Sequence, residues 1–190
     1  ATYPLKHFDV QGKKITIRPV NKKKVQGDFS NAFELIKVGD KIPEATDSDY
    51  NKPYRNQFHP STRRGWNNDP NGLVYLNGKY HLYYQHNPFG IFWGNMHWGH
   101  FVSDDLVHWK EKPITLYQNT LKDMMFSGGG FVDFNNSAGF GKNVQFAAFT
   151  STGRGECLAY SKDGVMTLTE IPENPVVKHR GRDPKIIWYK

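Results

Sequence analysis

The chain repeats itself, and the repeat limits the fold more tightly than any single motif. "NDPNGLVYLNGKYHLYYQ" from Asn68 aligns with "FSGGGFVDFNNSAGFGKNVQFAAFT" from Phe126, which sets Gly72, Leu73 and Val74 over Gly130, Phe131 and Val132 at an offset of 58. At the same offset "FVSDDLVHWKEKPI" from Phe101 meets "AYSKDGVMTLTEIPENPV" from Ala159, with Ser103 and Asp105 over Ser161 and Asp163. A third unit opens with "RDPKIIWY" from Arg182, 56 residues after Phe126.

Within each unit the writing is all-β. "LVYLNGKYHLYYQ", "HWGHFVSDD", "VQFAAFTS" and "CLAYSKDG" alternate over short spans bounded by Gly, Asn, Asp and Pro, and long amphipathic helical patterns are absent. Asn77-Gly78 between two alternating runs is a hairpin turn. A unit of this length holds about four strands, the content of a β-propeller blade. The expected architecture is a partial propeller, with two blades and the first strand of a third, whose last strand leaves an open edge. Since a ring has about 4 to 8 blades, the chain reads as the N-terminal part of a larger protein. Residues 1–50 stand outside the repeat. "KKITIRPV" and "FELIKVGDKI" predict a small β lobe, "PEATDSDYNKPYRNQ" reads as a linker, and residues 51–190 form the propeller portion.

Composition excludes several functions. No apolar run reaches bilayer length, so no membrane span is expected, and "ATYPLKHFDV" lacks the charged start and apolar core of a signal peptide. The single cysteine, Cys157, rules out an internal disulfide or a cysteine-built metal site. Much of the +7 net charge sits in "GKKITIRPVNKKKVQG", away from the aromatic stretches, which argues for a solvated face and against nucleic acid. His97 and His100 are three apart, so a strand sends them to opposite faces and no metal site is expected. No cofactor is implied.

The repeat also predicts a place. Asp69, Ser127 and Asp183 occupy the same position in successive units, just before each apolar first strand. First strands line a propeller's axis, so these three side chains should converge on one pocket. Two of them precede proline, which biases the preceding residue toward extended backbone and gives each carboxylate a fixed direction. Paired carboxylates in a pocket are what glycosidic cleavage requires. Either aspartate alone reads as a turn or cap residue; their equivalence in the repeat reverses that order. Around them "PFGIFWGNMHWGHFV" concentrates aromatics. Of Phe92, Trp93 and Trp98, one is expected to stack on a sugar ring and the others to pack.

These residues resemble a family. "GWNNDPNGLVYLNGKYHLYYQHNP", "WGNMHWGHFVSDDLVHW", "FSGG" and "RDPKIIWY" are similar to glycoside hydrolase family 32, the β-fructosidases that include invertases, inulinases and levanases, from about Tyr54 to Lys190. The resemblance implies a five-bladed propeller followed by a β-sandwich, and retaining cleavage of β-fructofuranosides through a covalent fructosyl-enzyme. It implies that Asp69 is the nucleophile and that Asp183 stabilises the transition state by holding fructose hydroxyls. Asn68, Gln85, Trp93, Phe126, Ser127 and Arg182 match positions lining the fructose pocket. Two departures are Asn67, where methionine is common, and "FSGGG" in place of "FSGS". Fructan or sucrose is the implied substrate, and a secreted or periplasmic location the implied setting. The lobe before the propeller favours a fructan-degrading bacterial type.

The family's general acid is a glutamate in a Glu-Cys pair, and Glu156-Cys157 supplies those letters. The family's pair follows "RDP", however, whereas Glu156 precedes it and is not at a strand start. Glu156 is therefore rejected, and the acid is expected about one blade beyond Lys190, in the C-terminal part of the same protein. By itself the chain should be inactive, since general acid catalysis is worth about 10² to 10⁴ in rate. Two other readings stand beside hydrolysis: a non-catalytic fructan-binding module, and a fructosyltransferase on the same scaffold.

Overall fold

A computed structural model describes residues 12–14, 16, 50–120, 122–163 and 167–189. The chain divides into two units, Thr2–Pro43 and one containing Glu44–Lys190. The expected N-terminal β lobe lies outside the described residues. In the larger unit eight strands form two sheets: β1 (Trp66–Leu76), β2 (Lys79–Asn87), β3 (His97–Ser103) and β4 (Trp109–Leu116), then β5 (Gly130–Asp133), β6 (Val144–Ser151), β7 (Gly155–Ser161) and β8 (Thr169–Glu170). Each sheet has its strands side by side in chain order, all antiparallel. Two four-stranded meanders at the predicted period have the form of propeller blades.

Local chemistry explains the turns. Leu76 pairs with Lys79 across Asn77-Gly78, whose φ angles of 52° and 76° give the left-handed two-residue turn that suits the twist of a hairpin. The repeated Ser-x-Asp does one job twice. Asp105 accepts hydrogen bonds from the N–H groups of Val107 (2.9 Å) and His108 (2.7 Å), while Ser103 Oγ donates to it at 3.1 Å. In the second sheet Ser161 Oγ donates to Asp163 at 2.6 Å, and Thr167 Oγ1 does so at 2.6 Å. These are loop caps, and the repeat conserves them because each blade must turn at the same place.

The sheets meet through an apolar seam. Tyr83, Trp98 and Leu116 of the first sheet pack with Val132, Ala147, Phe149, Cys157 and Ala159 of the second, all buried. The Trp98 and Phe149 rings meet edge-on at 6.4 Å. Within this seam Tyr83 Oη donates to Gln145 Oε1 at 3.0 Å, which satisfies a buried hydroxyl that would otherwise be costly. His97 and His100 are both buried, the first beside Phe89 and Tyr117, the second between His81 and Tyr83. Burial pulls their pKa values down to about 4 and about 3, so both are neutral packing groups near neutral pH. No cluster that could hold a metal ion occurs among the described residues.

Three expectations change. Residues 182–189 do not form a strand of a third sheet: they carry no ladder pairing, and Trp188 instead stacks on Phe131 with ring centroids 6.2 Å apart. A first strand becomes a strand only when a second one pairs with it. Asp69 lies inside β1 and not before it. The described part of the expected linker, residues 50–57, is fastened down. Arg55 Nη2 donates to the Arg63 carbonyl at 3.1 Å, and Tyr50 Oη to Glu111 on β4, which also takes the Arg63 N–H at 2.8 Å. No described helix is long and apolar enough to cross a membrane.

Candidate functional site

Proline makes the first strand irregular, and the irregularity aims the carboxylate. Asn67 and Pro70 pair with His86 and Tyr84, and Asn71 and Val74 with Tyr83 and His81, so β1 carries one extra residue at each step. These are two bulges. Asp69 sits in the first. Gly72, at φ 51°, sits in the second, where its N–H leaves the ladder and donates to the Gly128 carbonyl, two residues before β5, at 3.1 Å.

"FSGGG" brings three backbones together. A Cβ on Gly128 would lie 1.9 Å from the Ala148 carbonyl oxygen, and one on Gly130 would lie 2.7 Å from that of Gly72. At Gly129 the nearest atoms, from Pro184, Lys185 and Ile186, would be at 3.3 Å. The absence of side chains lets β1, β6 and the Pro184–Ile186 stretch all close on Ser127.

The result is a cleft of about 450 Å³ walled by Asp69, Ser127, Asp183, Lys185 and the glycines between. Ser127 Oγ donates to Asp69 Oδ2 at 2.7 Å. Asn68 Nδ2 donates to Oδ1 at 3.1 Å, and Trp66 Nε1 holds the Asn68 oxygen at 2.8 Å, which fixes which end of the amide faces the carboxylate. The Ser127 hydrogen bond, then that of Asn68, hold the Asp69 carboxyl below its ordinary pKa; burial opposes them, and the positive charge of Arg182 adds a lesser lowering. An ionised, oriented carboxylate with one face open to the cleft can act as a nucleophile.

Asp183 reaches the cleft differently. Its φ is 64°, left-handed and not the extended form expected before proline. Aspartate tolerates this region better than most residues, and the conformation is held by its N–H, which donates to Thr150 Oγ1 at 3.0 Å. Arg182 Nε stands 3.5 Å from its carboxylate.

Of the six predicted binding residues, Ser127 alone forms part of the cleft wall. Gln85 is buried at 2% exposure and donates to the Met125 carbonyl at 2.9 Å, two residues before Ser127. Phe126 is pinned by its backbone, with N–H to Thr150 and carbonyl to Trp98 Nε1, and its ring meets Trp93 edge-on at 5.8 Å. Trp98 is fully buried and packs, whereas Phe92 and Trp93 are both exposed, so the expectation that two of the three would pack is not met; Trp93 differs from Phe92 in its ring contact with Phe126. Glu156 is outside the wall. Sequence reading missed Thr150, which carries no spacing signal, and Trp66, which strand alternation from Asn68 did signal.

Two antiparallel four-stranded units sharing a carboxylate-walled cleft at their first strands have the build of a β-propeller hydrolase domain. The chain belongs to glycosyl hydrolases family 32, whose N-terminal domain model matches residues 59–190. Levanase of Bacillus subtilis is 45% identical over 166 residues, covering 82% of this chain and 24% of its own length. Extracellular exo-inulinase of Aspergillus awamori is 38% identical over 174 residues, covering 74% and 32%. The structure of fructofuranosidase from Schwanniomyces occidentalis complexed with fructose matches with a TM-score of 0.66 at 36% identity, over 75% of this chain and 30% of that one. The chain thus spans about a quarter to a third of the length of these relatives.

Loss of the Ser127 hydroxyl should be visible in the pH profile. Because its hydrogen bond lowers the Asp69 pKa, Ser127→Ala should raise it, so the ionised form is lost at higher pH as the solution is acidified. If the intact protein is a glycosidase that uses Asp69, the acid limb of its kcat/KM should move upward; an unmoved limb would mean that Asp69 does not govern it.

Proposed function

We propose that this chain supplies the nucleophile half of a retaining β-fructofuranosidase acting on levan, inulin or sucrose. The observation that carries the reading is the Asp69 carboxylate, held ionised by Ser127 at 2.7 Å in a cleft it shares with Asp183. Asp69 attacks the anomeric carbon of the fructosyl unit, the glycosidic C–O bond breaks, and the leaving oxygen takes a proton from an acid. Water then releases fructose from the Asp69 ester. Asp183 stabilises the oxocarbenium-like transition state by accepting hydrogen bonds from sugar hydroxyls, and Arg182, Asn68, Gln85, Phe126 and Trp93 complete or support the fructose pocket.

The described cleft walls carry no third carboxylate. We therefore assign the proton donor to a segment outside residues 59–190, within a five-bladed ring of which the two sheets are the first blades. Without that donor, turnover falls by about 10² to 10⁴. Kinship with a levanase and an exo-inulinase supports fructan or sucrose as substrate.

The test is the intact protein incubated with levan, inulin and sucrose, with products followed by NMR from the first turnovers. Fructose released initially as the β anomer is expected. Release of the α anomer overturns retention, oligosaccharides in place of free fructose from sucrose point to transfer, and binding of fructan without cleavage points to a module.

A further inference from the structure

Glu156 has a carboxylate without a task in the proposed chemistry, yet it is buried and tied to the segment that delivers Asp183. It sits near the start of β7 at 6% exposure. Its backbone grips that segment: the Glu156 N–H donates to the Val177 carbonyl at 2.9 Å, and its own carbonyl accepts from Val176 at 2.8 Å. Gly155 permits this approach, because a Cβ there would lie 2.5 Å from the Val177 oxygen.

The side chain continues the grip. One carboxylate oxygen lies 3.2 Å from His179 Nε2, and the other accepts the Thr150 hydroxyl at 2.8 Å. That hydroxyl in turn accepts the Asp183 N–H at 3.0 Å. A threonine hydroxyl has one hydrogen to give, and a carboxylate can only accept. Glu156 therefore fixes which way the hydroxyl points, and turns its lone pairs toward Asp183. The link matters because Asp183 occupies a left-handed conformation that surrounding contacts must hold.

We propose that Glu156 is a positioning residue for Asp183. Acting through Thr150 and His179, it fixes the backbone of residues 176–183 so that the Asp183 carboxylate is presented to the cleft. The kinetic part of this inference rests on the β-fructosidase reading; the structural part does not.

The test compares Glu156→Ala, Glu156→Gln, Thr150→Val and Thr150→Ser in the intact protein by hydrogen–deuterium exchange and steady-state kinetics. Glu156→Ala and Thr150→Val should speed amide exchange over residues 178–186 by about tenfold, selectively. They should also lower kcat per folded molecule by about 10- to 100-fold, the effect of a misplaced catalytic group, with a smaller change in KM. Glu156→Gln keeps an oxygen for Thr150, and Thr150→Ser keeps the hydroxyl, so both should stay near wild type in exchange and turnover. Wild-type exchange at residues 178–186 in Glu156→Ala overturns the proposal. So does a rise spread evenly over both sheets, which marks a general loss of stability. If wild type cleaves no β-fructoside, the functional reading fails, while the exchange comparison still decides the positioning role.

Discussion

Asp69→Asn in the intact protein is expected, on the β-fructosidase reading, to lower kcat/KM on levan, inulin and sucrose by at least about 10³-fold while leaving the fold intact. The substitution is nearly isosteric, and the amide oxygen can still accept from Ser127 Oγ, which now stands 2.7 Å from the carboxylate. What disappears is the negative charge that Ser127, Asn68 and Arg182 together stabilise. An amide is a poor nucleophile toward an anomeric carbon, so no fructosyl ester forms. Since Asp69 is largely open to the cleft and packs little, the thermal midpoint should barely move. Turnover at the wild-type rate in Asp69→Asn would remove this residue from the chemistry.

Gly128→Ala should destabilise the protein by about 3 kcal/mol or more, the upper end of core overpacking, or prevent folding. The added methyl would lie 1.9 Å from the Ala148 oxygen and 2.8 Å from its carbonyl carbon, both backbone atoms on β6, next to the fully buried Phe149. Neither can retreat without opening the seam between the sheets. Gly129→Ala is the matched control, since its nearest neighbours would be at 3.3 Å and must give by only tenths of an ångström. Thermal unfolding separates the two: a loss on the order of 10 °C for Gly128→Ala against a few degrees for Gly129→Ala. Equal midpoints would mean that the glycines are not there for close approach.

Much of the architecture was legible because the period of 58 residues and the strand alternation are both written in side-chain type. Asn77-Gly78 predicts its hairpin, and Ser103 and Asp105 over Ser161 and Asp163 support the repeat; that both pairs cap loops is visible only in their hydrogen bonds. Asp69, Ser127 and Asp183 were brought to one place by counting alone, and the cleft they wall is the one described. Gln85 was harder to place. Its letter fits either a pocket or a buried tie, and only the Met125 carbonyl at 2.9 Å shows the tie. The backbone of Asp183 runs against local expectation because proline's influence on the preceding residue is a bias that tertiary hydrogen bonds can override, at a cost of about 1 to 3 kcal/mol. The position of Glu156 in the repeat separates it from the cleft, yet nothing in "GECLAY" reveals that it lies one hydroxyl away from the Asp183 amide.

By itself the sequence determined the all-β class, the blade period, the hairpin, and the set of side chains that equivalent positions bring together. All of these depend on local backbone preference and on order along the chain. Tertiary structure decided what required several strands to be in place at once. It set the bulges that turn Asp69 toward Ser127, the three glycines that admit three backbones, and the left-handed Asp183 held through Thr150 and Glu156. The physical reason is that each of these depends on contacts between segments far apart in the chain, where a hydrogen bond or a close approach outweighs the preference of the residue that makes it.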